Sequence, residues 1–439
     1  MTNQNVLVDF IASAPPPVEA SVRGHGAEPH YATILFQCGR SGRLDLSKPH
    51  AAVWASVLDS MRQSNTPAYV EIDPATNEIT NLLAPLSVGV GDIKPLWEDR
   101  EVELIISHAK HFLRGANPGF KRLLETLETA RAHKTLVAVT ETAEHDIIDV
   151  RPLPGAPVAP PHGPSPEVRA DISPGPAASL TLAQAQQMFD LVSPQVCCPA
   201  TAAAPCIPFN YPDDGCWGRA HEMCRLMIAA GITPDKVWIF GNLRAASQNN
   251  PACQVLWGWH VAPTLSVGAQ TYVIDPSLFN NPVTQATWAG VQGDPSPTLI
   301  PSPASTFWRN QNPASAITDP AYTQTNTVLA TYRNMLRLRA VSAVGPPPYP
   351  NCIPGRTGLQ FVGVIPGGAT QRWYTFNWPA TWHVVWTIMP LTTCSGAAQL
   401  TWKTQVERAS GTYATYWIVV TNLTSNAVRF EGRYDILSY

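Results

Sequence analysis

Three residues carry types and spacing suited to nucleophilic chemistry: Cys216, His260 and Asp275. Cys216 follows the turn signal Asp213-Asp214-Gly215 and heads Trp217 to Ala230, where Ala220, Met223, Leu226 and Met227 recur at helical spacing. A cysteine at a helix N-terminus faces unpaired N–H groups and the positive end of the helix dipole. Both favour a thiolate, lowering the thiol pKa, and both leave donors for a developing oxyanion. His260 lies in WGWHVAP, Trp257 to Pro263, read as a strand; TYVIDPSLF, Thr271 to Phe279, reads as a second strand ending at Asp275 before Pro276. With 44 residues from cysteine to histidine and 15 from histidine to aspartate, a helix followed by neighbouring antiparallel strands can bring all three together.

Papain-like proteases place their histidine much further downstream, so the compact spacing suits a transglutaminase-like core instead. The motifs around the three residues go further: YPDDGCWGRAHEM at Tyr211 to Met223, FGNLRAAS at Phe240 to Ser247, WGWHVA at Trp257 to Ala262 and VIDPSLF at Val273 to Phe279. In this order they resemble the bacterial protein-glutaminases, and the likeness runs from about Ser179 to Leu336, about a third of the chain. Those enzymes deamidate glutamine side chains within intact proteins on a transglutaminase-like fold of the papain-like superfamily. The resemblance implies that Cys216 is the nucleophile, His260 the general acid/base and Asp275 its orienting partner. It also implies hydrolysis of protein-bound glutamine to glutamate, with ammonia release through a cysteine thioester, on protein or peptide substrates with accessible glutamine. A transglutaminase would form the same thioester and hand it to an amine, and an exported effector or toxin module could use the same fold.

Other features are weighed beside this set. His221 is five residues beyond Cys216 and shares no clean helical face with it, so packing or a hydrogen bond to a loop accounts for it better. Cys216, His221 and Cys224 lack a paired C-x-x-C framework, and neither a metal nor an organic cofactor is expected. Trp217, Trp257, Trp259 and Trp288 lie beside the motifs and are candidates either for the walls of a substrate groove or for the core beneath it. A net charge of −3 without a basic run excludes an electrostatic nucleic-acid binder, and no apolar stretch reaches membrane-spanning length.

The elements that must position these residues fall into a multidomain α+β chain of 439 residues. Residues 1–151 read as a small auxiliary α+β domain, with strands at Tyr31 to Gln37, Ala68 to Ile72, Glu101 to Ile106, Leu136 to Glu141 and Asp146 to Val150. Its helices are expected at His50 to Arg62 and Phe120 to His133. No reactive constellation is visible in it; the family likeness makes it a candidate inhibitory pro-region, targeting being the alternative. A proline-rich linker occupies 152–177, the catalytic region 178–343, and an antiparallel β-sandwich 352–439. The amino terminus shows no secretory pattern, whereas the cysteines and the resembled family point to export, so localisation stays open, as does oligomeric state. Nine cysteines suit one free reactive thiol beside disulfides, with Cys352 and Cys394 a possible separate pair.

Overall fold

The computed structural model describes residues 5–14, 31–154, 180–349, 352, 357–380, 382–391, 397–411 and 413–438. Most of the proline-rich linker, and Cys394, lie outside them. The chain divides into two compact units, Met1–Tyr349 and Pro350–Tyr439. No helix among the described residues is long and apolar enough to cross a membrane.

The first unit begins with an antiparallel sheet in the order Ser41–Asp45, Tyr31–Phe36, Val6–Ser13, Pro67–Ile72, Ile79–Leu83. Helix α1 (Ala51–Gln63) packs on it through Ala51, Trp54, Ala55, Leu58 and Met61, one stripe at spacings of three and four. Two three-stranded sheets follow, Ile147–Pro152 with Val137–Glu141 and Leu86–Val88, and Val90–Leu96 with Asp99–Leu104 and His111–Leu113. Helix α2 (Phe120–His133) buries Leu123, Leu127 and Ala130 against them. The strand expected to run from Glu101 to Ile106 stops at Leu104. Ile106 has φ of 76°, a left-handed conformation that a β-branched residue strongly disfavours, so the backbone leaves the sheet here under strain.

Helix α3 (Leu182–Val192) starts at a capping box of Thr181 and Gln184. Helix α4 (Cys216–Ala229) is buried on every side through Cys224, so it is a core helix and not an amphipathic surface one. It lies on an antiparallel sheet ordered Val283–Thr284, Gln270–Val273, Gln254–Val267, Asp235–Ala246, Thr298–Pro303. The second expected strand ends at Val273, two residues early. The Ile274 amide donates to the Pro263 carbonyl and Pro276 has no N–H, so Asp275 is released from the ladder. Short helix α5 (Gln285–Gly290) follows, and α6 (Thr323–Val341) packs on both α4 and α1, tying the two halves of this unit together.

In the second unit, two three-stranded antiparallel sheets enclose one core containing Trp378, Trp386, Ile418 and Phe430. Their orders are Thr357–Ile365, Val428–Ser438, His383–Pro390 and Thr370–Pro379, Tyr413–Asn422, Leu400–Glu407. The alternation of aromatic and polar residues marks five of the six, at Trp373 to Trp378, Trp382 to Met389, Gln399 to Val406, Thr415 to Asn422 and Val428 to Leu437; Thr357–Ile365 lacks that alternation and has no sequence signal of comparable strength. Tyr374 and Phe376 remain on the outer face.

Cys197 and Cys206 form a disulfide, and Cys253 and Cys352 are each disulfide-bonded. Among the described residues Cys38, Cys198, Cys216 and Cys224 are free, four thiols where the odd cysteine count suggested one. Cys224 is buried in α4, where a thiol behaves as a small hydrophobe.

Gly215 caps α4 with φ of 85°, and a Cβ there would lie 2.3 Å from the ring of Tyr332 on α6. Strain and overlap act together, so Gly215→Ala is expected to cost about 3 kcal/mol or more. Chemical denaturation of the purified variant measures this, and a loss below about 1 kcal/mol would contradict the close packing of α6 on the turn.

Candidate functional site

Cys216 is the first residue of α4 and is 1% exposed. The turn before it is locked by its two carboxylates. Asp213 receives Nη1 and Nη2 of Arg339 at 3.0 and 2.7 Å and Asn250 Nδ2 at 2.6 Å; its carbonyl accepts the Trp257 indole N–H. Asp214 Oδ1 accepts the Gly215 amide at 2.9 Å, while Oδ2 accepts the Tyr332 hydroxyl at 2.5 Å. Arg219, one turn along α4, donates to the carbonyls of Tyr211 and Asp214. The two carboxylates beside Cys216 are therefore satisfied internally.

The sheet brings up the other two residues. His260 and Cys216 offer ring nitrogen and sulfur atoms within 4.8 Å of one another. His260 Nε2 lies 2.8 Å from Asp275 Oδ2, which also accepts the Trp288 indole N–H at 2.9 Å. Burial opposes ionisation of Asp275, but His260 and the Trp288 bond outweigh it and hold the carboxyl below its ordinary range. The imidazole stacks on Trp257 at 4.4 Å between centroids and lies against Trp288 at 5.5 Å, so its plane is fixed. His260 Nδ1 is buried and without a hydrogen-bond partner. An imidazole with a carboxylate on one nitrogen and a free second nitrogen near a thiol can move a proton at that sulfur.

One contribution had no sequence signal. After Ile106 the chain runs antiparallel beside the His260 strand: Gly258 N–H donates to the His108 carbonyl at 2.9 Å, Lys110 N–H to the Leu256 carbonyl at 3.0 Å, and Ala109 bridges Trp257. The His108 ring, 1% exposed as a residue, sits among Trp217, Trp257, Trp259 and His260, at centroid distances of 6.1, 5.2, 5.4 and 5.7 Å. Asp214 fastens this segment, accepting the His108 amide at 3.0 Å and the Ser107 hydroxyl at 2.6 Å. The covered thiol is pushed well above its usual pKa, because burial outweighs the Arg219 charge; the thiolate expected from the helix terminus alone is not favoured here.

Three of the four candidate tryptophans thus surround His108, and Trp259 also lines an open cleft beside the segment. Trp288 is fully enclosed and engages His260 and Asp275. His221 is held by the buried Lys236 ammonium at 2.9 Å and burial pushes its pKa down to about 4, which leaves it in packing.

Behind the segment lies a buried ionic relay. Ser107 Oγ meets His111 Nε2 at 2.7 Å, His111 Nδ1 meets Glu141 at 2.6 Å, and the other Glu141 oxygen meets His145 Nδ1 at 2.8 Å. His145 Nε2 in turn faces Asp213 at 3.8 Å. Burial opposes both charges of the Glu141–His145 pair, but their attraction prevails, setting Glu141 at about 2 and His145 at about 9. Burial instead lowers His108 to about 4, against the pull of Asp214.

Residues 185–292, which contain Cys216, His260 and Asp275, match the glutamine-deamidase family model described as Glutaminase. The central region of this chain belongs to the protein-glutaminase family. Among solved structures, protein-glutaminase from Chryseobacterium proteolyticum is 30% identical, covering 40% of this chain and 95% of its own, with a TM-score of 0.32. Pro-protein-glutaminase is 23% identical, covering 62% of this chain and 98% of its own, with a TM-score of 0.43. No curated protein matches the chain.

The relay sets a pH profile for the covering segment of this protein-glutaminase relative. His145 is stabilised as a cation by Glu141, Asp213 and Asp214; its contribution is complete below the ordinary 6.5 and lost as pH rises through about 9. His108 faces Asp214, His260 and Arg219 and is buried neutral, so its contribution falls as pH drops from 6.5 towards about 4. Amide exchange at 107–110, corrected for intrinsic rates, is expected to be slowest near pH 6.5 and faster on both sides. His145→Gln should flatten the alkaline limb, and a profile level from pH 4 to 9 would contradict the relay.

Proposed function

We propose that this chain is a protein-glutamine glutaminase on a transglutaminase-like core, kept latent by its own N-terminal region. The observation that carries the reading is a cysteine at a helix N-terminus within 4.8 Å of an imidazole whose far nitrogen rests on a buried aspartate. In the uncovered site Cys216 gives its proton to His260 Nδ1 and its sulfur attacks the carboxamide carbon of a glutamine side chain. The Cys216 amide, at the unpaired start of α4, donates to the oxyanion. Collapse breaks the C–N bond; the His260 proton goes to departing ammonia and a thioester remains. His260 then takes a proton from water, which attacks the thioester to yield glutamate and the free thiol. Asp275, aided by Trp288, keeps the proton on Nε2 and stabilises the imidazolium.

Latency is supported by the segment Ser107 to Lys110, which fills the space above Cys216 and uses the strand edge at Leu256 to Gly258. A glutamine-bearing strand of another protein would need that space and that edge. No free ammonium- and carboxylate-binding pair is available at the turn, because Asp213 and Asp214 are engaged, which favours protein-bound over free glutamine.

Two results are expected. With the N-terminal region removed by cleavage between Pro152 and Ser179, ammonia release from an unfolded glutamine-rich protein should rise well above that of the intact chain. Equal rates would assign the region to targeting or structure instead. In the released enzyme, Cys216→Ala and His260→Ala should each lower kcat by about 10⁶-fold and Asp275→Asn by about 10⁴-fold. A blocked glutamine dipeptide should be turned over in preference to free glutamine and to the asparagine dipeptide. Near-normal activity in Cys216→Ala overturns the mechanism, and amine crosslinking faster than deamidation makes the enzyme a transglutaminase.

A further inference from the structure

The covered site assembles more than a blocked nucleophile. His108, Cys216 and His260 present three ligand atoms within 4.8 Å of one another, all buried. Each histidine has a carboxylate on one nitrogen: Asp214 Oδ1 stands 3.0 Å from His108 Nδ1, and Asp275 Oδ2 2.8 Å from His260 Nε2. His260 Nδ1 and both ring nitrogens of His108 are buried without a hydrogen-bond partner, the Asp214 contact of His108 Nδ1 being an ion-pair distance only. An imidazole anchored to a carboxylate through one nitrogen, with its other lone pair free, is the arrangement that holds metal-ligating histidines in the correct tautomer. His260 is held in this way and His108 stands beside Asp214; two imidazoles and one cysteine form a borderline-soft N₂S set, which suits zinc and leaves a fourth tetrahedral position for solvent.

We propose that the covered form binds one Zn²⁺ through His108, Cys216 and His260, and that this ion locks the N-terminal segment over the site. Binding releases the Cys216 proton to solvent and uses the lone pairs of both imidazoles. The thiolate, Asp214 and Asp275 then offset the dication. The ion takes the sulfur and the nitrogen that the proposed chemistry needs, so it is an inhibitor and not a cofactor. Because one ligand comes from the covering segment, zinc binds the closed arrangement more tightly than the open one, and by linkage closes it. The cluster His111, Glu141 and His145 does not compete on the same terms, since Glu141 already bonds both of its histidines and His111 Nε2 meets Ser107.

The inference deepens the proposed latency, but its test reads metal and not activity. Intact chain, stripped with chelator, is titrated with Co²⁺ and Zn²⁺ and followed by near-ultraviolet absorption and equilibrium dialysis. One ion per chain is expected, with a thiolate-to-cobalt band that Zn²⁺ displaces. Cys216→Ala should abolish the band, and His108→Gln should weaken binding by about 100-fold. Cys38→Ser with Cys198→Ser removes the exposed thiols and should change neither. Circular dichroism and thermal melting establish that each variant is folded; if His108→Gln is not, His108→Asn takes its place. The absence of a thiolate band, or binding unchanged in both Cys216→Ala and the folded His108 variant, overturns the proposal whether or not the released enzyme deamidates glutamine.

Discussion

The first unit depends on the Asp214 carboxylate. It is 1% exposed and joins three parts of the chain: its own turn through Gly215, helix α6 through Tyr332, and the covering segment through the Ser107 hydroxyl and the His108 amide. Burying a charge this completely is costly without partners, and here the partners are the elements that have to meet at Cys216. Burial alone would raise its pKa; His108, His111 and the Ser107 bond instead bring it far below the usual carboxylate range. The same carboxylate therefore sets the start of α4 and holds the segment that hides it.

The neighbouring Asp213 extends this framework in the opposite direction, to Arg339 near the end of α6 and to His145 in the N-terminal region. The two aspartates act with the packing of α6 on α1 to join the N-terminal region and the protein-glutaminase region in a single compact unit, although a proline-rich stretch separates them in sequence. An apolar core shared by the two regions, from Leu86 and Val102 to Trp217 and Leu336, also holds this junction; its charged part is directional, so changes in protonation act on it. His108 and His145 respond in opposite senses because one is buried neutral and the other buried as a cation.

His260 is constrained by a different logic. Its position comes from the strand register opposite Ile239, its plane from Trp257 and Trp288, and its tautomer from Asp275. Asp275 is free to turn towards it because the ladder ends at Val273, just before a proline that cannot continue it. Trp288 illustrates how a residue near a motif touches the site through another: its indole donates to the Asp275 carboxylate and it is enclosed.

Much of this was legible in the chain. The turn Asp213-Asp214-Gly215 announces α4 within one residue, because a left-handed glycine and the apolar spacing after it are local properties. The strand of His260 and the ordered motifs point to the same three residues that the fold brings together. What sequence alone left open is long-range. Ser107 and His108 lie more than a hundred residues before Cys216 in a stretch with no motif, and only the packed structure sets them against Asp214 and Trp257. Sequence likewise made Cys216 a thiolate from its helix terminus, a local field, whereas its protonation here follows from enclosure by a distant segment. Local geometry follows from residue types a few positions apart; burial and the pairing of charges depend on which distant segments meet, and that is decided by the tertiary fold.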